Sequence, residues 1–432
     1  MKFQPPRGTR DLAPEEMIRR EYIFNVIRDV FERYGFDPLE TPAFESWELL
    51  SRKGGGGDAI KDEIYYFKDK SERELGLRFD LTVPLARFVA NNPQLPKPFK
   101  RYQIGRVWRY DRPQAGRFRE FWQADIDIVG SSKMDCEVEC LAAVCEILEK
   151  LGFKNFFIRV NNRKILNGLV KYMKIKEERT AEIFRALDKI EKVGKEKVKK
   201  ELGKIIPQNK AAELMNIIET SGKIESIESK LKRFANTSKE LKQGLLELKE
   251  IVEKSKMYGI NNKIKIDLSL VRGLDYYTGS IFEISVKTKK SVGSISGGGR
   301  YDKLIGLYGG QPLPAVGISL GVDRIYEIML SENMFDTPLT KTQIFVVCVN
   351  DSVRKNCVEV AQKLREFGIN TQIDLMGRDI KKQLAYVNSK KIPYALIVGP
   401  KEIKERTYTL RNMKTGREER VKLENIKTKI RL

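Results

Sequence analysis

Apolar residues recur along this chain at two spacings, and the change from one to the other marks out its elements. From Pro14 the positions Ile23, Ile27, Val30 and Tyr34 fall on one stripe of a helix that ends at Gly35. Arg101 to Tyr110 and Arg119 to Gly130 alternate instead, with Pro113 and Gly116 between them, which predicts an antiparallel strand pair. In the second of these strands Trp122, Ala124, Ile126 and Ile128 form the core side, while Arg119, Phe121, Gln123, Asp125 and Asp127 share the opposite face. Two carboxylates and an arginine on one strand face suit either a solvated surface or a polar pocket, and the alternation alone does not choose.

From about Lys174 to Tyr258 helical spacing returns in a stretch rich in Lys, Glu, Leu and Ile, with a capping box expected at Thr237 and Glu240 ahead of Leu241, Leu245, Leu248 and Val252. Within it Lys189 to Lys204 holds seven lysines against three glutamates, as fits a solvated helix face or one that follows a phosphate backbone. Strands are expected again at Lys263 to Leu270, Ile281 to Val286 and Ala315 to Leu320, the last entering a helix at Gly321. The pattern is that of an α/β chain: an α+β domain whose antiparallel sheet is flanked by helices and interrupted by a helical insertion. Beyond a linker at Ser331–Thr342, strands (Ile344 to Val349, Ile369 to Leu375, Tyr394 to Gly399) alternate with two helices, which predicts a separate small α/β domain. The closing stretch from Lys401 has eleven Lys and Arg against five Glu and reads as a basic tail suited to RNA.

A length of 432 residues with 41% hydrophobic content leaves room for about three domains. The 81 basic residues exceed the 59 acidic ones by 22, a surplus that points to a polyanionic partner. No apolar run approaches the ~20 residues of a spanning helix, and Met1 to Asp11 has no apolar core of the secretory kind, so a cytoplasmic location without a membrane anchor is expected. The chain contains no histidine. That excludes Ser/His and Cys/His nucleophiles and every imidazole metal site. Its five cysteines (Cys136, Cys140, Cys145, Cys348 and Cys357) include no C-x-x-C pair and are expected to be buried free thiols. Neither Gly54-Gly55-Gly56-Gly57 nor Gly297-Gly298-Gly299 ends in the G-K-[ST] of a phosphate loop. What the sequence offers to phosphate is arginine, at Arg109, Arg112, Arg117, Arg119, Arg272 and Arg324.

At those arginines the chain resembles the histidyl-tRNA synthetases, class II aminoacyl-tRNA synthetases, over essentially its whole length. Tyr34-Gly35-Phe36 through Thr41-Pro42 is similar to the class's first motif, Val107-Trp108-Arg109 through Gln123 to its second, and Ala315-Val316-Gly317 through Arg324 to its third. Leu270-Val271-Arg272-Gly273-Leu274-Asp275-Tyr276-Tyr277 and Gly298-Gly299-Arg300-Tyr301-Asp302 match the family's histidine signatures without gaps. Asp80 and Asp127 stand where many bacterial relatives have Glu, which resembles the archaeal and eukaryotic members.

The resemblance implies activation of L-histidine by ATP to histidyl-adenylate and pyrophosphate, followed by transfer of the histidyl group to tRNA(His). Both steps gather negative charge around phosphorus, where fixed cations are the expected device. On the family's pattern Arg109 and Arg272 are catalytic. Histidine is held by Asp80, Leu81, Thr82, Gln123, Asp127, Tyr276, Tyr277 and Tyr301 together with those two arginines. ATP is held by Arg109, Asp111, Arg117, Phe121 and Arg324, with Mg2+ on its phosphates and no dedicated protein site for the metal. The implied organisation is a homodimer with a catalytic domain at 1–173 and 259–330, a helical insertion at 174–258, a linker at 331–342 and an anticodon-binding domain at 343–432. With no imidazole in the chain, a pH inflection near 6.5 is expected only in histidine-dependent steps. Three other readings compete: a regulatory paralogue without catalysis, a class II synthetase for another amino acid, and a general RNA-binding protein. The first typically loses Arg272, the histidine signatures or the C-terminal domain, all of which this chain retains. The tyrosine pair opposes the second, and the aligned polar face of Phe121 and Asp127 opposes the third.

Overall fold

The computed structural model describes residues 3–52, 62–112, 116, 118–272, 276–288 and 294–430. Gly54 to Gly57, Pro113, Arg117 and the Gly273-Leu274-Asp275 part of the first signature lie outside the described residues. Two compact units are present, one of residues Met1–Arg10 and Ile23–Met334, the other of Asp11–Tyr22 and Phe335–Leu432.

The first unit is built on a nine-stranded sheet. Its strands are β1 (Asp37–Pro38), β5 (Phe99–Trp108), β6 (Glu120–Val129), β7 (Phe156–Asn162), β8 (Ser221–Gly222), β9 (Ile264–Asp267), β10 (Ser280–Val286), β11 (Ser294–Arg300) and β12 (Ala315–Gly321). They lie in the order β1-β5-β6-β12-β11-β10-β7-β9-β8. The β1/β5 and β7/β9 pairs are parallel and the others antiparallel. A smaller sheet of β2 (Phe44–Ser46), β4 (Glu74–Leu77) and β3 (Tyr66–Lys68) lies beside it in the chain.

Helix Pro14–Arg33 carries Ile23, Ile27 and Val30, all fully buried, and Gly35 at φ +71 stops it after Arg33. Helix Asp135–Lys150 buries an apolar face that includes Cys136, Cys140 and Cys145, and Cys348 and Cys357 are likewise buried and free. Strand β6 alternates as expected, with Ala124, Ile126 and Ile128 in the core. Its other face is not solvated, however: Asp125 and Asp127 are only 3% and 2% exposed.

The excursion between β7 and β9 is mainly helical, running through Thr180–Asp188, Ile190–Val193, Lys195–Ile205, Gln208–Ile218, Ile224–Ala235 and Lys239–Met257. It also contributes β8, which the helical pattern did not announce. The expected capping box is displaced by one residue. Ser238, not Thr237, caps the last helix by accepting the Leu241 N–H at 3.2 Å, while Glu240 turns to Asn167 and Lys171. Lys197, Lys199, Lys200 and Lys204 are exposed on the side opposite buried Val198 and Leu202.

The second unit holds a five-stranded sheet in the order β14 (Thr371–Ile373), β13 (Ile344–Cys348), β15 (Tyr394–Val398), β16 (Tyr408–Asn412), β17 (Glu418–Val421). Its first three strands are parallel and its last two antiparallel, with helices between the parallel ones, which is the α/β alternation expected from the sequence. The expected basic tail is therefore a folded strand pair. Arg420 is paired with Glu402 and Glu405, Arg411 with Glu418, and Lys429 with Glu419.

Candidate active site

Register places the polar face of β6 against two glycine strands. Asp127 lies opposite Gly317 of β12, and a β-carbon on that glycine would stand 1.9 Å from Asp127 Oδ1. Gly298 is as constrained, since its β-carbon would meet the Gly317 carbonyl oxygen at 2.1 Å. On the other side Asp127 pairs with Arg101 of β5, whose guanidinium is fully buried and 2.7 Å from Asp127 Oδ2. The same guanidinium donates to the Leu81 carbonyl at 3.2 Å, and the Tyr301 hydroxyl donates to Asp127 Oδ1.

Around this buried pair opens a cleft of about 680 Å³. At its closed end Asp80 accepts the Val83 N–H at 3.0 Å, where helix Thr82–Ala90 begins. Gln123 donates to Ser319 Oγ at 2.9 Å. Tyr276 packs 4.8 Å from Tyr277 and 5.9 Å from Tyr301, ring centroid to ring centroid. Three acceptors here, Asp80 Oδ2, Gln123 Oε1 and Asp125 Oδ1, take no hydrogen bond from the described residues although all are buried. Such groups are costly unless a donor reaches them. The closed end is thus suited to a cation with several N–H donors.

Burial raises the carboxyl of Asp80 to about 6, against the pull of the Val83 N–H and of Arg109. Asp125 is raised further, to about 7, by burial and by the neighbouring Asp127 charge, with Arg101 opposing. Asp127 moves upward for the same first reason, again opposed by Arg101. The absence of histidine therefore does not leave the cleft without groups that titrate near neutrality, and these carboxyls lie at the same end as Tyr276, Tyr277 and Tyr301. Burial also raises the phenols of Tyr276, Tyr277 and Tyr301, which stay protonated as hydrogen-bond donors.

Two guanidinium groups also line the cleft. Arg109 is held by its Nε on the Phe79 carbonyl at 2.9 Å and lies 5.5 Å from the Phe121 ring. Arg272 follows a segment pinned from β7 by Asn161, whose amide donates to the Leu268 and Leu270 carbonyls at 3.1 and 2.9 Å. Its backbone is left-handed, at φ +60, and its Nη1 pairs with Glu283 at 2.8 Å. Gly297 makes room for it, since a β-carbon there would stand 2.4 Å from Arg272 Nη2. The less buried part of the lining, taken here as the open end, includes Phe121, Asp111 and Arg324, whose guanidinium donates to the Ser294 carbonyl.

Residues 8–325 match the family model described as histidyl-tRNA synthetase. The chain belongs to the histidyl-tRNA synthetase family. Residues 343–431 match a second model, that of an anticodon-binding domain. Similar full-length proteins include a histidine–tRNA ligase of Phocaeicola vulgatus, 39% identical with 95% of each chain covered. A histidine–tRNA ligase of Aeropyrum pernix is also 39% identical, with 96% of this chain and 94% of the relative covered. Among solved structures, a histidyl-tRNA synthetase from Nostoc sp. PCC 7120 superposes over 100% of both chains at a TM-score of 0.86 and 32% identity. This synthetase is accordingly a ligase of the aminoacyl-tRNA synthetase class with the mixed α/β fold of the family, joining histidine to tRNA with ATP.

Of the residues singled out from the sequence, Asp80, Thr82, Arg109, Asp111, Phe121, Gln123, Asp127, Arg272, Tyr276, Tyr277, Tyr301 and Arg324 all line this one cleft of the synthetase. Leu81 does not: its side chain is fully buried, and its carbonyl serves Arg101 instead. Arg119 is also turned away, with its Nε on the Asp111 carbonyl and its guanidinium over the Tyr110 ring, and Arg112 is exposed. Four residues of the site were missed. Arg101 was read only as the start of a strand and Asp125 only as a polar-face position, while Arg159 and Glu283 drew no comment. The one available signal was Asp125's phase with Gln123 and Asp127. Among the described residues no group of three or more Cys, Asp or Glu is placed to hold a metal ion, and no helix is long and apolar enough to cross a bilayer.

Proposed function

We propose that the cleft binds L-histidine at its closed end and ATP at its open end, and that Arg109 and Arg272 hold the two reactants together at the α-phosphate. The observation that carries this reading is the row of three open acceptors beside two guanidinium groups. A zwitterionic amino acid with a further polar ring answers both. Its ammonium would take Asp80, Thr82 and Gln123, and its ring would lie between Asp127, Tyr277 and Tyr301, with Tyr276 behind. Its carboxylate would face Arg109 and Arg272 and attack the α-phosphorus as pyrophosphate leaves. Both guanidinium groups would stabilise charge on the phosphoryl oxygens, and neither step requires a side-chain imidazole.

At the open end the adenine would stack between Phe121 and Arg324, with Asp111 on its edge; Arg117 is assigned to the phosphates on its sequence position alone. Mg2+ would enter with ATP as its phosphate chelate, which agrees with an ion that keeps waters and phosphate oxygens as ligands. The same cleft would then pass the histidyl group to the end of tRNA(His). We assign residues 1–173 and 259–330 to catalysis, 174–258 to the insertion, 331–342 to a linker and 343–432 to the anticodon. A homodimer through the Tyr34 to Pro42 region, a cytoplasmic location and an archaeal or eukaryotic type of pocket complete the proposal. The last rests on Asp80 and Asp127.

The test is ATP–pyrophosphate exchange with each amino acid in turn, on the wild type and on Arg272→Ala. Exchange with histidine alone, lost in the variant, is the expected result. A folded protein that binds histidine and exchanges with no amino acid would instead be a regulatory paralogue.

A further inference from the structure

The helical insertion reaches the reaction centre through a run of charges. Arg159 of β7, 9% exposed, meets three carboxylates: Asp267 of β9 at 2.9 Å, Glu283 of β10 at 3.0 Å, and Glu191. The first two are fixed in the sheet. Glu191 belongs to the insertion's short helix Ile190–Val193, and its side chain is 62% exposed. Glu283 divides its two oxygens, Oε1 to Arg159 and Oε2 to Arg272. The insertion's Asp188, Ile190 and Glu191 also line the cleft.

Counting charges gives the direction of the effect. With the insertion seated, Asp188, Glu191, Asp267 and Glu283 set four negative charges against the two positive ones of Arg159 and Arg272. Without Asp188 and Glu191 the count is two against two. The seated insertion thus places a local excess of two negative charges beside the arginine that must receive an anion.

We propose that Glu191 is a positioning residue: sharing Arg159 with Glu283 it weakens the hold of Arg159 on that carboxylate, whose other oxygen neutralises Arg272, and its withdrawal lets Arg159 draw Glu283 away and turn Arg272 over to the anionic reactants. The inference rests on the functional reading above, in which Arg272 holds the phosphate and carboxylate. The placement of the insertion then sets how strongly the cleft binds ATP, so that an anionic partner engaging the insertion's lysines is felt at the reaction centre.

Glu191→Gln in the full chain tests this by histidine-dependent ATP–pyrophosphate exchange across a range of ATP concentrations. The expected result is a KM for ATP at least threefold lower with kcat within twofold of wild type. A purely structural role for Glu191 would raise KM and lower kcat. Glu196→Gln makes the same charge change at an exposed position of the next helix of the insertion and should leave both parameters unchanged. An unchanged or raised KM in Glu191→Gln overturns the proposal, as does an equal shift in Glu196→Gln, which would reduce the effect to net charge. A wild type without histidine-dependent exchange would sink the functional reading first and this inference with it.

Discussion

Substituting Gly297 by alanine should disable the synthetase without unfolding it. A β-carbon at this position would stand 2.4 Å from Arg272 Nη2 and 2.6 Å from Cζ, where an ordinary contact is about 3.5 Å. The guanidinium must therefore retreat by roughly 1 Å, since it is the movable end of a side chain facing backbone that is not. Gly297 is paired with Glu283 on one side and Ser319 on the other, and its φ lies outside the left-handed region, so alanine adds no backbone strain. A misplacement of about 1 Å at a reacting centre costs on the order of 10²-fold in rate, about 2.7 kcal/mol of barrier. Histidine-dependent ATP–pyrophosphate exchange at saturating substrates measures the loss, and thermal unfolding checks that the fold survives. Folded Gly297→Ala with exchange within threefold of wild type would refute the reasoning, because the position of Arg272 would then not govern the rate.

Two further substitutions probe the buried charges. Asp125 has a carboxyl at about 7 in the folded chain against an ordinary 3.8, so folding takes up a proton between those values; the stability it contributes is full below about pH 4 and lost as pH rises through 7. Asp125→Asn should accordingly raise the unfolding temperature more at pH 8 than at pH 5, and an equal change at both would deny the shift. Arg101→Gln leaves Asp127 buried without its cation, at a cost of about 3–5 kcal/mol, and should weaken histidine binding more than ATP binding. Denaturant unfolding and titration calorimetry read the two effects, and a wild-type unfolding midpoint would count against the pair.

What could be read beforehand followed from periodicity, and what could not depended on register. The alternation of β6 announced a polar face carrying Gln123 and Asp127, because strand phase is a local property. Arg101 looked like an ordinary strand residue, and only its pairing with Asp127 across the sheet turns it into a buried counter-ion. The Arg159 and Glu283 links are of the same kind, joining positions far apart in sequence whose side chains meet only after β7, β9 and β10 are aligned. The helix cap was misplaced by one residue because Thr237 stands three residues before Glu240, as a capping box requires, whereas the adjacent Ser238 is the stronger cap and takes the position. The C-terminal basic stretch looked like a tail because charge counting is blind to strand pairing: Arg411, Arg420 and Lys429 are paired with glutamates of a folded unit, while the reading of an RNA-facing region agrees with the anticodon-binding match over residues 343–431.

Both borders of the nine-stranded sheet are strands of two residues, Asp37–Pro38 at one end and Ser221–Gly222 at the other. A strand's border normally offers a ladder of free amides and carbonyls on which another chain can crystallise its own strand. Here one border carries a proline, which has no amide to give, beside a charged aspartate, and the other is a serine and a glycine too short to template anything. The helical insertion supplies that second stub from its own length, covering Asp267 and Ile266 of β9. Excising it would therefore bare a longer stretch of β9, leaving a trimmed enzyme that tends to aggregate edge to edge for reasons unrelated to its chemistry.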